Sequence, residues 1–389
     1  MSAKKTNKMR RTTLYFLGFV IASSVALISY IQSSFLGKYI SLSWVSLFFV
    51  FSNLITIIAI ASFPNLIYKL GNYFTSKNIL ILLGASLLSL AATSGPVSAT
   101  ISLMFFIVTS NLIWINIDIF LEEVSDDKNT GKIRTIYLTC YNLGWIIGPI
   151  ISANLIEKGG YPLSFLLASL LLIPVFLVII KQKNNLKDKT KKTKEKIGVS
   201  FLKIWKNKNL KGVFIAAIAL NIFFSGAVLY IPLYLNQTLG MDWSQLGWIF
   251  SFMLLPFIIF EIPIGLMADK YLGEKEIMLL GLLIIFASSL LFFYIKTPAV
   301  ILWAITLFFS RIGAAMVEAT RDSYFFKNIN AKDLGLINIF RMTNPLGFVI
   351  GTAFAALTLL FLPINYVFLV LALIIIPAFF SIYFIKDTK

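Results

Sequence analysis

The stretches INIDIFLEE (residues 115–123) and AMVEATRDS (residues 315–323) carry the same acidic pattern two hundred residues apart, each at the end of a long apolar run. In both stretches two carboxylates are four residues apart, so they lie on one face of a helix. The two pairs are Asp118 with Glu122 and Glu318 with Asp322. This recurrence indicates that the chain contains two copies of one membrane unit.

Other segments repeat at a similar distance. LGWIIGPIIS (143–152) matches LGFVIGTAFA (346–355) at an offset of 203, and NILILLG (78–84) matches EIMLLG (276–281) at 197. A period of this length is too long for a solenoid and is typical of two parallel membrane halves.

The composition is that of an integral membrane protein. Hydrophobic residues make up 58% of the chain and charged residues 13%, with a mean hydropathy of +0.87. A soluble domain has about a quarter of its residues charged. Histidine is absent and Cys140 is the one cysteine, so no intramolecular disulfide and no cysteine cluster for a metal is expected. Carboxylates are then the candidates for any proton coupling.

The formal charge of +17 is concentrated in the segments predicted to be cytoplasmic, and this distribution argues against nucleic acid as a partner. Five of the 34 basic residues precede residue 12, and twelve lie between residues 181 and 211. The predicted outer loops keep Lys38, Lys158 and Lys296. Because Lys and Arg concentrate in cytoplasmic loops, we expect a multi-pass protein of the cytoplasmic (plasma) membrane with both termini in the cytoplasm.

Twelve apolar segments are long enough to cross a bilayer, which takes about 20 residues. They cover residues 12–35, 42–67, 78–94, 98–121, 133–156, 161–180, 212–235, 244–268, 276–295, 298–320, 334–358 and 363–385. The predicted fold is therefore an all-α membrane protein with twelve transmembrane helices in two six-helix, pseudo-symmetric bundles. The predicted domains are residues 1–180, a basic cytoplasmic linker over 181–211, and residues 212–389.

Within the linker, VSFLKIWKNKNLKG (199–212) alternates large apolar side chains with lysines. This pattern predicts a short amphipathic helix at the inner membrane surface. A plain anchor and a regulatory lipid site are both open interpretations.

Between spans 8 and 9 the chain reads GLMADKYLGEK (265–275), which resembles the G-x-L-a-D-r-x-G-r-k loop of the major facilitator superfamily. Gly265 permits close helix contact, and Asp269 can face the positive N-terminus of a neighbouring helix. Lys270 and Lys275 are expected at the cytoplasmic interface. The resemblance covers nearly the whole chain and implies a secondary transporter. It also implies that this loop is a conformational latch. The first-half counterpart, YKLGNYFTSKN (68–78), is degraded, with Asn72 near the aspartate position.

The fifth span contains Gly144, Gly148 and Pro149, which resemble the glycine–proline motif of the drug:proton antiporter branch of this superfamily. Small residues allow close helix packing, and proline weakens a backbone hydrogen bond at a bend. Departures occur where Thr135, Ser152 and Ala153 replace expected glycines. A tightly packed helix pair with no role in antiport is the alternative interpretation.

Two charges lie deep in the second half. Arg311 in span 10 resembles an arginine that the family often carries in its fourth helix, where this chain has Asn111. Glu261 in span 8 is predicted at a similar depth, and unpaired charges there are costly. Glu261 and Arg311 are predicted to form either a static ion pair or a proton-coupling pair.

The acidic pairs lie near the inner ends of their spans, where we expect a cytoplasmic gate. Its predicted members are Asp269, Lys270, Arg134, Asp118, Glu122, Glu318, Arg321, Asp322 and Arg341.

By resemblance, spans 1, 4, 7 and 10 line the cavity. The polar and aromatic residues predicted to bind substrate there are Tyr30, Gln32, Asn111, Trp114, Asn221, Tyr230 and Tyr234. Tyr30 and Tyr230 also suit an interfacial belt.

No phosphate loop, zinc spacing or nucleophile elbow occurs, so neither catalysis nor a cofactor is expected. The leading hypothesis is proton-coupled export of small amphipathic compounds by a monomer that rocks about a central site. Proton-coupled or facilitated uptake of a sugar or nucleoside is the first alternative. A lipid flippase or a transport-inactive receptor is the second.

Overall fold

The computed structural model describes residues 3–124, 130–181, 197–329 and 334–386. Within these ranges the chain is helical and contains no β-strand. Twelve helical stretches, some of which join two or three of the helices given below, are long and apolar enough to cross a membrane. The prediction of an all-α membrane protein with two six-helix bundles is confirmed. The linker residues 182–196 lie outside the described ranges.

The described residues pack into two compact units. Unit 1 consists of residues 3–39 and 58–181, and unit 2 of residues 40–57 and 197–386. The units thus follow the two halves of the chain except for residues 40–57, which pack with the second half.

Unit 1 is built from seven helices, one of which it shares with unit 2. They are α1 (Ala3–Ser29), α2 (Gln32–Leu36), α3 (Leu42–Leu70, shared), α4 (Asn72–Ala91), α5 (Pro96–Val124), α6 (Thr130–Gly159) and α7 (Tyr161–Lys181). The first predicted span is interrupted, because α1 ends at Ser29 and the short α2 follows a turn.

Unit 2 contains the remaining helices. They are α8 (Ile197–Lys206), α9 (Lys208–Ser225), α10 (Ile231–Leu233), α11 (Trp243–Met253), α12 (Leu255–Ile259), α13 (Glu261–Met267), α14 (Glu274–Tyr294), α15 (Val300–Lys327), α16 (Leu334–Arg341), α17 (Thr343–Phe361) and α18 (Asn365–Tyr383). Short π-helical turns continue α9, α10 and α13 at Gly226–Tyr230, Tyr234–Thr238 and Ala268–Leu272.

Helix starts follow from local sequence. Proline is the first residue of α5, where the missing N–H costs nothing. The Asn207 side chain accepts hydrogen bonds from the backbone N–H groups of Asn209 and Leu210 and so caps α9. Gly71 and Gly273 precede α4 and α14 with φ of 80° and 82°, a backbone conformation that favours glycine.

The matching conformations of these two glycines show that the two halves align differently from the motif-based alignment. Because Gly71 corresponds to Gly273, Asn72 corresponds to Glu274 and not to Asp269. Gly84 and Gly281 are therefore not equivalent either. A Cβ on Gly84 would meet nothing within 4 Å, whereas one on Gly281 would lie 2.8 Å from the carbonyl oxygen of Gly313.

Both units use the same internal packing. In unit 1, α1 contacts α6 and α7, and α4 contacts α5 and α7. In unit 2, α9 contacts α17 and α18, and α14 contacts α15 and α18. The repeat in the sequence is thus a repeat of helix contacts within each unit.

The predicted amphipathic helix is α8, and it packs against α9 and against α16. Val199, Phe201, Leu202 and Trp205 are exposed on it, while Ile204 is fully buried. A helix with this distribution presents one apolar face beyond the protein.

Candidate functional site

A buried arginine lies in the middle of α15. The Arg311 side chain is 1% exposed, and its guanidinium carbon lies 5.1 Å from the centre of the Phe223 ring and 5.8 Å from that of Phe224. Both rings belong to α9. A guanidinium over aromatic faces gains cation–π attraction, most strongly where water is excluded.

Glu261 begins α13 at the same depth as Arg311. Three residues after Glu261, Ile264 shares a buried apolar cluster with Ala315, which follows Arg311 by four residues. One residue before Glu261, the ring of Phe260 lies 6.5 Å from that of Phe308 on α15. Both contacts hold α13 and α15 in a register that places the carboxylate and the guanidinium at one level, about one helical turn from Ala315.

Farther along α15, Arg321 lies between the two carboxylates of the second acidic pair. Its guanidinium is 3.8 Å from a Glu318 oxygen and 3.2 Å from an Asp322 oxygen. The same group donates to the carbonyl oxygen of Ala217 on α9 at 3.4 Å and lies 5.8 Å from the centre of the Phe340 ring. Arg321 therefore links α15 to α9 and α16.

Of the remaining predicted gate residues, Asp118 on α5 and Arg341 at the end of α16 are half-buried. The side chains of Glu122, Arg134, Asp269 and Lys270 lie outside the described part of the chain.

Five aromatic rings of unit 1 form a continuous group. The Tyr30 ring meets Trp145 edge-on at 6.4 Å, and Trp145 lies 6.1 Å from Tyr141. Tyr141 in turn contacts Trp114 at 4.9 Å and Tyr137 at 6.5 Å, all distances being between ring centres. We call Tyr30, Trp114, Tyr137, Tyr141 and Trp145 the aromatic group.

Four buried side-chain polar atoms of unit 1 have no hydrogen-bond partner among the described residues. Two of them, the indole Nε1 of Trp145 and the amide Oε1 of Gln32, lie in or near the aromatic group in sequence. Gln32 follows Tyr30 by two residues and is 8% exposed. A buried donor or acceptor left without a partner costs about 1–3 kcal/mol, so such atoms mark places where another molecule can bind.

The predicted binding residues of the second half are engaged within unit 2. The Asn221 amide donates to the carbonyl oxygen of Ala217 and accepts from Asn344 at 3.0 Å. The Tyr230 hydroxyl donates to the Ser46 hydroxyl at 2.7 Å, and that of Tyr234 donates to the Ile295 carbonyl at 3.1 Å. In unit 1, the side chain of Asn111 donates to the Ile107 carbonyl on its own helix.

Both tyrosines that suited an interfacial belt are buried, Tyr30 at 3% and Tyr230 at 1% exposure. A ring at the lipid–water boundary is exposed to lipid, so these two pack inside the protein.

Sequence reasoning missed Tyr137, Tyr141 and Trp145. They recur every four residues on α6 and therefore share one face. That spacing is a signal in the sequence, but the glycines and the proline of the same helix are its more conspicuous feature.

Those glycines pack directly on α1. A Cβ on Gly144 would lie 2.6 Å from the Phe19 carbonyl oxygen and 2.8 Å from the Ala22 Cβ. A Cβ on Gly148 would clash with Ala26. Pro149 lies inside α6, which continues to Gly159.

A second buried polar contact lies at the start of α4. The Asn116 amide donates to Asn72 Oδ1 at 2.6 Å, and Asn72 donates to the Asn116 carbonyl at 3.1 Å. At the equivalent position in unit 2, the fully buried Glu274 accepts from Ser323 and Lys327. These contacts join α4 to α5 and α14 to α15. Within the described ranges, no group of three or more potential metal ligands occurs.

Comparisons with known proteins agree with this architecture. The Major Facilitator Superfamily family model matches residues 12–247 and 234–389. No curated protein sequence matches the chain. Among solved structures, a mutant of the nucleoside transporter NupG superposes with a TM-score of 0.74 at 14% sequence identity, over 96% of this chain and 99% of the other. That likeness supports the fold, and the family match extends over nearly every residue. The chain belongs to the major facilitator superfamily.

Proposed function

We propose that this transporter exports small amphipathic compounds that carry a flat aromatic ring, in exchange for protons. The observation that carries the proposal is the aromatic group of unit 1 together with the unpartnered indole N–H of Trp145. A ring packed edge-on or offset against such side chains gains about 0.5–1.5 kcal/mol beyond its buried area.

Polar recognition would come from two of the buried atoms without partners. The Trp145 N–H is a donor and the Gln32 amide oxygen is an acceptor. The site therefore suits a ligand that carries both a hydrogen-bond acceptor and a hydrogen-bond donor beside its ring. A purely apolar ligand would leave both atoms without a partner, which would lower its affinity.

Coupling to protons would use Glu261. Beside the Arg311 guanidinium the carboxylate stays ionised, and in an apolar environment without it the carboxylate takes up a proton. The common depth of the two residues on contacting helices supports this role. A static ion pair is the alternative.

The group formed by Glu318, Arg321 and Asp322 would belong to a gate at the cytoplasmic end, with Asp269 as a latch. Arg321 suits this role because it holds α15 to α9 and α16 through contacts that can break separately. We also propose that the protein works as a monomer in the plasma membrane with both termini in the cytoplasm.

Uptake of a nucleoside is the second candidate. It is favoured by the structural likeness to a nucleoside transporter and by the aromatic group, on which a nucleobase stacks as readily as another flat ring.

Counterflow into proteoliposomes separates the two candidates. Vesicles preloaded with unlabelled norfloxacin, uridine or glucose are tested for accumulation of the same compound in labelled form. We expect counterflow of norfloxacin, which has a flat ring, a carbonyl acceptor and an amine donor, and faster accumulation when the vesicle interior is acidic. Counterflow of uridine alone would favour the second candidate, and counterflow of glucose alone would exclude recognition of a flat aromatic ring.

A further inference from the structure

Three lysines of unit 2 lie over aromatic rings at one end of the bundle. The Lys208 ammonium is 5.2 Å from the centre of the Phe384 ring, and that of Lys211 is 4.6 Å from Trp205. The Lys275 ammonium lies 5.4 Å from the Tyr383 ring. We call these six residues (Lys208, Lys211, Lys275, Trp205, Tyr383 and Phe384) the lysine–aromatic surface.

This surface is continuous. The rings of Tyr383 and Phe384 are 5.4 Å apart, so they join Lys275 on α14 to Lys208 on α9. The Asn209 side chain accepts from the backbone N–H of Lys386 at 3.0 Å, which ties the start of α9 to the end of α18.

Its rings are turned outward and not into the core. Trp205 is 46% exposed, Phe384 58% and Tyr383 65%. On a membrane protein, exposed tryptophan and tyrosine rings at helix ends lie at the level of the lipid headgroups, and lysine stems reach to the same level. The adjoining α8 presents Phe201 and Leu202, whose exposed apolar surface suits the same boundary.

Positive charge dominates here. Lys203, Lys206 and Lys386 are exposed beside the surface, and α9 has no acidic residue in its first turn. Among the nearby described acidic side chains, Glu276 is exposed and Glu274 is buried against Lys327. Among the described residues here, basic side chains outnumber acidic ones.

We propose that the lysine–aromatic surface binds the phosphate headgroups of anionic phospholipids in the adjoining leaflet. The ammonium groups of Lys208 and Lys211 would contact the phosphate while the rings lie among the upper acyl chains. One lysine near an anionic membrane surface strengthens binding about fivefold. The pair therefore gives a selective site, independent of what the transporter carries.

The test is native mass spectrometry of the purified full-length chain titrated with phosphatidylglycerol or phosphatidylcholine. We expect phosphatidylglycerol to be retained at least about tenfold more tightly, and the double variant Lys208→Gln/Lys211→Gln to lose that preference. The variant Lys208→Arg/Lys211→Arg keeps the charges and should keep the preference.

Lys38→Gln is the matched control, since Lys38 also lies over a ring, that of Tyr161 at 4.4 Å, but belongs to unit 1 and to a predicted outer loop. It should leave phosphatidylglycerol binding unchanged. Raising salt on the unmodified protein should weaken binding, which tests the proposal even if a variant does not fold. Equal lipid preference in the glutamine variant, an equal loss in Lys38→Gln, or full displacement by inorganic phosphate at matched concentration would overturn it.

Discussion

Gly144 lies against the backbone of Phe19 so closely that a Cβ on the glycine would be 2.6 Å from the Phe19 carbonyl oxygen. In unit 2, a Cβ on Gly347 would lie 2.9 Å from the Ile218 carbonyl oxygen and would clash with Asn221. The two contacts are equivalent in the repeat. The first fixes the crossing of α6 over α1, and the second fixes the crossing of α17 over α9. Close packing at these glycines is therefore a property of both halves and is not confined to the helix with the antiporter-like motif.

The first prediction concerns this crossing. Gly144→Ala should destabilise the protein by about 1–3 kcal/mol, because the new methyl group meets backbone atoms that cannot move aside. Gly84→Ala is the control, since a Cβ there meets nothing within 4 Å. It should be neutral or stabilising by up to about 1 kcal/mol through helix propensity. Thermal unfolding midpoints in detergent measure both, and equal midpoints for the two variants would contradict the packing argument.

The second prediction concerns the buried guanidinium. A double-mutant cycle of Arg311→Gln with Phe223→Leu should give a coupling of about 0.5–2 kcal/mol, because a neutral glutamine and an aliphatic leucine each remove the cation–π contact. The same cycle with Phe309→Leu, on an exposed ring of the helix that carries Arg311, should give a coupling near zero. Equal coupling in both cycles, measured by unfolding in detergent, would show that Phe223 does not hold Arg311.

The third prediction concerns the aromatic group. Trp145→Phe keeps a ring but removes the indole N–H, so the affinity for norfloxacin, whose ring carbonyl can accept from that N–H, should fall about tenfold, which corresponds to one hydrogen bond of about 1.4 kcal/mol. Trp248→Phe is the control, because Trp248 is 68% exposed on α11 and outside the group. Fluorescence titration in detergent measures both variants. An unchanged affinity in Trp145→Phe would exclude its N–H from recognition.

Much of the fold follows from the sequence. The apolar runs predict all twelve spans, since a bilayer-spanning helix needs a fixed length of apolar residues whatever its neighbours are. The pairs of matching glycines identify the helix crossings, because only a residue without a side chain allows two backbones to approach this closely.

Packing within the repeat is harder to predict. Asn72 and Asp269 look equivalent by motif, but the positive φ of Gly71 and Gly273 makes Asn72 equivalent to Glu274. The motif of the first half has no aspartate, so the sequence alone does not show which residues of the two halves have the same backbone conformation. Similarly, the first part of α3 packs with unit 2, which no pattern of hydrophobicity along the chain expresses.

The candidate site is predicted in part. Tyr30 lies in the aromatic group beside Trp145, whereas Tyr230, two hundred residues later, donates its hydroxyl to Ser46 inside unit 2. Side chains of the same type at repeat-related positions differ because their neighbours differ. Composition gives the candidates, and only the helix contacts decide which of them converge.

The central claim, proton-coupled transport through Glu261, is tested by comparing two transport modes on one variant. Glu261→Gln is reconstituted into proteoliposomes, and norfloxacin movement is measured under an imposed pH gradient and as exchange at equal pH. Wild type and Glu157→Gln, which removes an exposed carboxylate, are the controls.

The account predicts that Glu261→Gln loses gradient-driven transport and keeps exchange, because exchange needs no net change in protonation. A static ion pair would behave differently, since removing one partner of a buried pair costs about 3–5 kcal/mol and would impair folding and both modes together. Gradient-driven norfloxacin transport by Glu261→Gln at the wild-type rate would contradict proton coupling through Glu261.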